Sequence, residues 1–198
     1  MPWSWDLRPI SKFRFLALTL LLAAWAVRAR ATEGGASAPE FVEQTYLTEE
    51  AALKTAFPGC DRVERKVYKV SEGQREKIES RLGWTFSEST VTVFEGFSGN
   101  QPRGRAMITE EIGKFKPVTF IVKADNDGKV ERVDVMVYRE AVGEEVRRSR
   151  FTRQFRGKTS KDPLRINRDI INVTGATMSV QAMTAGVKKV LVILDEMK

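Results

Sequence analysis

The chain has 198 residues, of which 30% are charged, and it carries a formal net charge of +7. It contains no histidine and only one cysteine, Cys60. This composition excludes Ser-His-Asp and Cys-His catalysis, histidine-ligated metal sites and disulfides within the chain. Residues 1–31 hold five of the basic side chains and one acidic one, so the remainder has a net charge of only +3. Without a basic stripe interleaved with aromatic residues, this charge does not predict nucleic-acid binding.

The first 31 residues have the order of a secretory signal peptide. Three basic residues precede an apolar run over 15–27, and Ala29-Arg30-Ala31 supplies the small-x-small pattern of a cleavage site. The apolar run is shorter than the roughly 20 residues that a membrane-spanning helix needs. The sequence therefore predicts an exported, periplasmic protein. The alternative is an uncleaved segment that tethers the protein to the inner membrane.

The rest of the chain divides into a linker over 32–46 and one domain over 47–198. The start of the linker is small and polar, and it carries no periodic apolar pattern. The roughly 167 residues that follow the signal peptide are enough to bury a stable core without cross-links.

Local signals predict two short helices and one strand at the beginning of the domain. Thr48, followed by two glutamates, is typical of a helix N-terminus. Residues 63–70 alternate as a strand does. Ser71 and Gln74 then have the spacing of a capping box, which predicts the start of a second helix.

The middle of the chain changes to a period of two and predicts a sheet. Four further strands are predicted over residues 90–97, 103–108, 117–124 and 130–137. The last of them has an irregular pattern between 130 and 133. The turn Asp125-Asn126-Asp127-Gly128 is a strong hairpin signal. Short turns between successive strands indicate an antiparallel arrangement of about four or five strands.

The C-terminal segment has the clearest helical pattern. Its apolar residues follow helical spacing over about five turns: Val180, Met183, Val187, Val190, Leu191 and Leu194. We therefore predict an α+β fold with a single antiparallel β-sheet, N-terminal helices and a long C-terminal amphipathic helix.

Small and hydroxyl-bearing residues precede this helix in the string Thr174-Gly175-Ala176-Thr177, with Ser179 two positions further on. The first N–H groups of a helix have no intrahelical partner, and the helix dipole favours an anion there. Such a terminus can hold a phosphate without a cationic side chain. Taken alone, the string is better explained as an ordinary helix cap.

The wider sequence resembles the FMN-binding domain family. This family occurs in the G subunit of Rnf complexes, in the C subunit of the sodium-pumping NADH:quinone reductase and in stand-alone exported proteins. Its motif is Ser/Thr-Gly-Ala-Thr followed two positions on by Ser or Thr. The resemblance covers residues 91–194 and includes the strand–turn–strand strings Lys116–Phe120 and Asp127–Val130. The Phe-x-x-Gln-Phe-x-Gly-Lys string over 151–158 ahead of the motif makes it more specific.

The resemblance implies that FMN is the cofactor and that a flavin transferase installs it from FAD with a divalent metal. The flavin would be joined through its phosphate to Thr177 as a phosphoester. Thr174, Gly175, Ala176 and Ser179 would line the phosphate.

Met178, Glu140, Phe155 and Lys158 are further candidates for contacts with the cofactor. Phe155 has the alternative role of packing a short helix onto the sheet, and Glu140 that of a solvated charge. Lys158 is a candidate to neutralise the phosphate. The chain departs from the family where Glu140-Ala141-Val142-Gly143 replaces Glu-Thr-Pro-Gly, and where Ile171 replaces an aspartate.

The function implied is that of a membrane-associated electron-transfer module, and not that of a stand-alone enzyme. Its partners would be the transferase and a membrane or exported redox protein, such as a quinone reductase, a cytochrome or Rnf-type subunits. Two alternatives stay open: an Rnf-type membrane complex subunit, and a cofactor-free exported binding module that kept the scaffold.

Overall fold

The computed structural model describes residues 43–197. The signal peptide predicted over 1–31 lies outside the described residues. Of the linker predicted over 32–46, residues 32–42 also lie outside them. Both therefore stay predictions.

One antiparallel sheet of six strands forms the centre of the described domain, in the order β1-β6-β5-β4-β3-β2. The strands are β1 (Gln44–Thr45), β2 (Arg62–Lys69), β3 (Thr90–Ser98), β4 (Gln101–Ile112), β5 (Pro117–Ala124) and β6 (Val130–Tyr138). The α-helices are α1 (Glu49–Ala56), α2 (Glu72–Leu82), α3 (Ser149–Thr152) and α4 (Thr177–Glu196), with 3-10 turns over Glu144–Arg147 and Arg153–Phe155.

The predicted α+β architecture is confirmed, and all five predicted strands are present. The sixth strand, Gln44–Thr45, pairs with Val137 and Tyr138 of β6. These two residues fall within the segment predicted as a linker. A strand of two exposed residues has no alternating apolar pattern from which it could be predicted.

The capping box predicted for α2 is also present. The Ser71 hydroxyl accepts a hydrogen bond from the Gln74 N–H, and the Gln74 side chain accepts one from the Ser71 N–H. The helix ends at Gly83, whose φ of 81° is in the left-handed region. Both ends of α2 are therefore set by local sequence.

The sheet is covered on both faces. Helices α2 and α4 pack on one face, and α4 runs across β4 and β5. Helix α1 covers the other face with a smaller cluster that contains Phe57, Phe94 and Ile121. By length and hydropathy α4 would be able to cross a membrane, but 67% of its apolar window is buried inside the fold. We therefore interpret α4 as the central core helix of the domain.

β-bulges interrupt the β5–β6 and β3–β4 ladders. In the β5–β6 pair, Lys123 pairs with Arg132 and Ala124 with Val130, so Glu131 is the additional residue. This confirms the irregularity predicted between 130 and 133. A further register shift lies in the β3–β4 pair, where Gly104 has a φ of 108°. Bulges bend a strand and redirect its side chains.

Candidate anion-binding site at the N-terminus of α4

A tight turn leads the chain into α4. The N–H of Ala176 donates to the carbonyl of Val173 at 3.0 Å, and Gly175 has a φ of 82°. Only glycine adopts this conformation without strain. No atom lies within 4 Å of the position that a Cβ at Gly175 would occupy. Thr174 and Gly175 are both exposed, so the outer side of the turn is open.

The helix terminus itself has no side-chain cap. Ala176 is the N-cap residue, and its carbonyl accepts the first intrahelical hydrogen bond, from the Val180 N–H at 2.9 Å. The N–H groups of Thr177, Met178 and Ser179 therefore have no intrahelical partner. A small-residue turn, unused N–H groups and the positive end of the helix dipole together suit a phosphate group.

Thr177 presents its hydroxyl at this terminus. The residue is exposed, and its Oγ1 accepts a hydrogen bond from the Asn172 side-chain amide at 3.2 Å. This leaves the hydroxyl hydrogen available for another acceptor. Asn172 was not among the predicted site residues, although it lies only five positions before Thr177.

Ser179 is directed into the protein. It is 3% exposed, and its hydroxyl lies 2.8 Å from the Tyr138 hydroxyl. Tyr138 donates its only hydroxyl hydrogen to the Val142 carbonyl at 2.6 Å, so Ser179 is the donor to Tyr138. The Ser179 side chain thus joins α4 to β6. Only its backbone N–H remains for an anion at the helix terminus.

Burial raises the pKa of Tyr138, and its hydrogen bond with Ser179 only partly opposes this. The phenol therefore stays protonated at neutral pH and keeps its role as the donor to Val142. At 2% exposure, Tyr138 is a core residue. Its hydroxyl nevertheless connects three parts of the site.

Gly143 packs against the contact between the Tyr138 and Ser179 hydroxyls. A Cβ atom at Gly143 would lie 2.7 Å from both the Ser179 and the Tyr138 hydroxyl oxygens. Its φ of 94° also lies in the left-handed region. A glycine is therefore needed here for the 140–143 loop to pack against the start of α4.

Replacing Tyr138 by phenylalanine is expected to lower the free energy of unfolding by about 1–2 kcal/mol, because it leaves the buried Ser179 hydroxyl and the Val142 carbonyl without a partner. Denaturant unfolding followed by circular dichroism measures this. Tyr68→Phe is the control: its hydroxyl makes only a 3.3 Å contact with Glu95, so we expect a change within about 0.5 kcal/mol. Equal losses in the two variants would contradict the assigned role of Tyr138.

Gln154 fixes the segment that leads into the turn. Its side-chain oxygen accepts from the Ile171 N–H at 2.7 Å, and its side-chain nitrogen donates to the Ile171 carbonyl at 3.3 Å. Gln154 belongs to the Phe-x-x-Gln-Phe-x-Gly-Lys string, so the string supplies a support for the turn. The string alone does not indicate this role for the glutamine.

Glu140 is used by the β4–β5 turn. It is 8% exposed, and one carboxylate oxygen accepts from the N–H groups of Phe115 and Lys116 at 2.5 and 2.9 Å. The observed role of Glu140 is therefore to close that turn.

Phe155 and Lys158 lie away from the start of α4. Phe155 is 0% exposed and packs edge-on against Phe151, with ring centroids 5.4 Å apart, which is the packing role given as its alternative. The Lys158 carbonyl accepts from the N–H of Val130, at the end of β6 opposite to Tyr138. Its ammonium lies 4.0 Å from Asp162. The structure does not bring either side chain to the turn.

Exposed apolar side chains surround the turn. Met178 is 44% exposed in the first turn of α4, and Ile171 and Val142 are also large exposed hydrophobic residues. Ile171 is adjacent to Asn172, and Val142 accepts the hydrogen bond from Tyr138. An apolar surface therefore flanks the polar helix terminus.

Comparison with known proteins gives a family match and a fold match. Residues 113–192 match the model of the FMN-binding domain family, and this range contains every site residue described above. No curated protein sequence matches the chain significantly. Among solved structures, the chain is similar to NqrC of Shewanella oneidensis, with 14% sequence identity and a TM-score of 0.50. The match covers 65% of this chain and 77% of that chain, and it shows a common fold.

Proposed function

We propose that the chain is an exported flavoprotein that carries FMN on Thr177 and transfers electrons in a membrane-associated redox chain, because residues 113–192 match the model of the FMN-binding domain family. The observation that carries the proposal is the exposed Thr177 hydroxyl at an uncapped helix N-terminus inside this domain. The family match and the fold both support an FMN-binding module.

Attachment uses the Thr177 hydroxyl as the nucleophile. Its oxygen would form a bond to the phosphorus of the FMN half of FAD, the P–O bond to the AMP half would break, AMP would leave, and the hydroxyl proton would pass to solvent. The unused N–H groups at the start of α4 stabilise the negative charge of the phosphoester. Thr174, Gly175 and Ala176 leave room for it, and Asn172 orients the acceptor oxygen.

When bound, FMN supplies one- and two-electron redox chemistry, and the protein supplies its position and surroundings. The exposed side chains of Met178, Val142 and Ile171 provide an apolar surface beside the attachment point. We expect these three side chains to contact the flavin ring. The side chains of Glu140 and Phe155, which were among the predicted contacts, face other parts of the protein.

A redox titration tests the proposal. The chain is exported to the periplasm of a bacterial host that also produces a flavin transferase. The mass of the purified chain is measured before the titration. We expect an adduct of FMN size and a visible flavin spectrum that bleaches and recovers reversibly at biological potentials. An adduct that cannot be reduced at such potentials would disprove the electron-transfer role, whereas an unmodified, colourless protein would favour a cofactor-free exported binding module.

The proposed partners are a flavin transferase and a membrane or exported redox protein, and the proposed location is the periplasm. The neighbouring genes separate two cases. A run of Rnf subunits would favour an Rnf-type complex subunit, and a transferase beside cytochrome-like membrane proteins would favour a stand-alone carrier.

Replacing Gln154 by alanine is expected to slow flavin attachment by at least about tenfold, because the turn before Thr177 loses the support of Ile171. The measurement is the rate of adduct formation by mass spectrometry, under conditions where unfolding curves show the variant to be folded. Arg153→Ala is the control, since Arg153 lies on the same turn and its side chain donates only to the Ser149 carbonyl. Equal rates in Gln154→Ala and the unaltered chain would contradict the support role.

A further inference from the structure

A cavity separate from the N-terminus of α4 lies on the sheet face opposite to α4, between the end of α1 and the β5–β6 hairpin. Its volume is about 840 Å³, within the range of roughly 300–1,000 Å³ typical of small-molecule sites. Val130, at one end of β6, lines it, whereas Tyr138 at the other end supports the flavin site. The nine-residue strand separates the two by about 26 Å. We call this cavity the α1 cleft.

Two glycines, Gly96 and Gly104, allow the close backbone approaches that shape the α1 cleft. The Phe57 ring lies where a Cβ on Gly96 would be, only 2.3 Å from that position, so Gly96 lets the ring lie flat on the sheet as a wall. Gly104, at the β3–β4 bulge, has a φ of 108°, and a Cβ there would lie 2.3 Å from the Ala124 carbonyl oxygen. The bulge follows directly after Arg103, which lines the cleft.

Lys123 forms the floor of the α1 cleft. It is 6% exposed, its ammonium pairs with Glu131, and it lies 5.7 Å from the centroid of the Phe57 ring. Burial lowers the pKa of Lys123. A buried cation beside an aromatic wall is costly to desolvate unless it has additional anionic partners.

The lining of the α1 cleft has an excess of positive charge. Five basic residues line it, Arg103, Lys123, Lys129, Arg132 and Arg156, against two acidic ones, Asp125 and Glu131. Asp125 is already used by the hairpin turn, where it accepts from the N–H groups of Asp127 and Lys129.

Two of the arginines are available for a ligand. Arg103 has no ion-pair partner within residues 43–197. Arg156 donates through Nε to the Glu131 carbonyl, at 3.3 Å, which leaves its two terminal nitrogens free to bind an anion. Guanidinium groups bind carboxylates and phosphates through paired hydrogen bonds.

We propose that the α1 cleft binds a small organic anion. The flat apolar part of the ligand packs against Phe57 and Pro58, and its carboxylate or phosphate group lies between Arg103, Lys123 and Arg156. The site is independent of the flavin site, since no residue that lines it takes part in the turn before α4.

Cys60 reports on occupancy, because it lines the cleft, is partly exposed and is the only cysteine of the chain. Dithiobis(nitrobenzoate) is an aromatic dianion. Its disulfide is cleaved by the Cys60 thiolate, which forms a mixed disulfide and releases a coloured thiolate. N-ethylmaleimide is neutral and alkylates the same sulfur. The two reagents therefore separate anion binding from simple access to Cys60.

On the full mature chain, we expect the rate with the dianionic reagent to saturate as its concentration rises. The double variant Arg103→Gln/Arg156→Gln lowers the ratio of this rate to the maleimide rate by about tenfold at low reagent concentration. Arg147→Gln is the matched control, since Arg147 pairs with Glu144 away from the cleft, and it changes neither rate. A linear dependence on the dianion, or no effect of the double variant, would overturn the proposal.

Protection experiments identify the class of ligand. Phthalate and phenyl phosphate are expected to slow maleimide labelling of Cys60 in the unaltered chain and to have no effect in the double variant. Protection by phthalate alone assigns carboxylates, and protection by phenyl phosphate alone assigns phosphates. If neither protects and only an acidic peptide does, the cleft is a protein-docking surface and the small-ligand proposal is wrong.

Discussion

The Thr177→Ala variant, co-produced with a flavin transferase, is expected to keep the mass of the unmodified chain and to show no flavin colour. The alanine removes the only exposed hydroxyl in the first turn of α4, since Ser179 is buried against Tyr138. We expect a complete loss because Thr177 carries the exposed hydroxyl that lies within the helix itself, whereas Thr174 lies in the turn before it. Intact mass and mapping of the peptide that contains residues 174–179 measure it.

Thr174→Ala is the matched control for this experiment. Thr174 carries the same hydroxyl three residues earlier, on the exposed side of the turn, and is expected to be dispensable as the acceptor. An adduct that survives in Thr177→Ala but disappears in Thr174→Ala would move the attachment to Thr174. An adduct lost in both would show that the turn needs both hydroxyls.

Replacing Gly186 by alanine is expected to destabilise the protein, although alanine is the better helix former by about 1 kcal/mol. A Cβ at Gly186 would lie 2.5 Å from the ring of Phe120 and 2.6 Å from Glu111 Cγ. Phe120 is completely buried and cannot move away. The strain of overpacking outweighs the gain in helix propensity, so we expect a net loss of about 1–3 kcal/mol.

Gly73→Ala is the control, because this glycine lies in α2 with nothing within 4 Å of its Cβ position. There only the propensity term acts, and we expect a gain of up to about 1 kcal/mol. Urea unfolding of both variants gives the two values. Should Gly186→Ala also prove stabilising, the close contact between α4 and β5 would have to be looser than the structure has it.

Repeating local patterns explain what could be predicted of the fold. Helix α4 carries the helical period of its apolar residues, strands β3, β5 and β6 are runs rich in β-branched and aromatic residues bounded by turns, and the capping box of α2 is a purely local signal. Strand β1 could not be predicted, because Gln44 and Thr45 are held only by pairing with β6, far away in the sequence.

The local position of the predicted site residues follows from the sequence, whereas the direction of their side chains depends on tertiary contacts. The turn Thr174-Gly175-Ala176-Thr177 lies at the start of α4 as expected. The inward direction of Ser179 depends on Tyr138, which is 41 residues away in the sequence. Lys158 is close to the motif along the chain, but its carbonyl is bound at the far end of β6.

The turn before α4 is supported by residues that lie outside the turn. Gln154 binds the segment in front of it, and Tyr138 and Gly143 hold the first turn of the helix behind it. These supports come from separate parts of the chain, so the shape of the turn exists only after they have assembled. An enzyme that recognises this shape, and not merely the order of four residues, acts after folding. In that case only correctly folded molecules would carry the flavin.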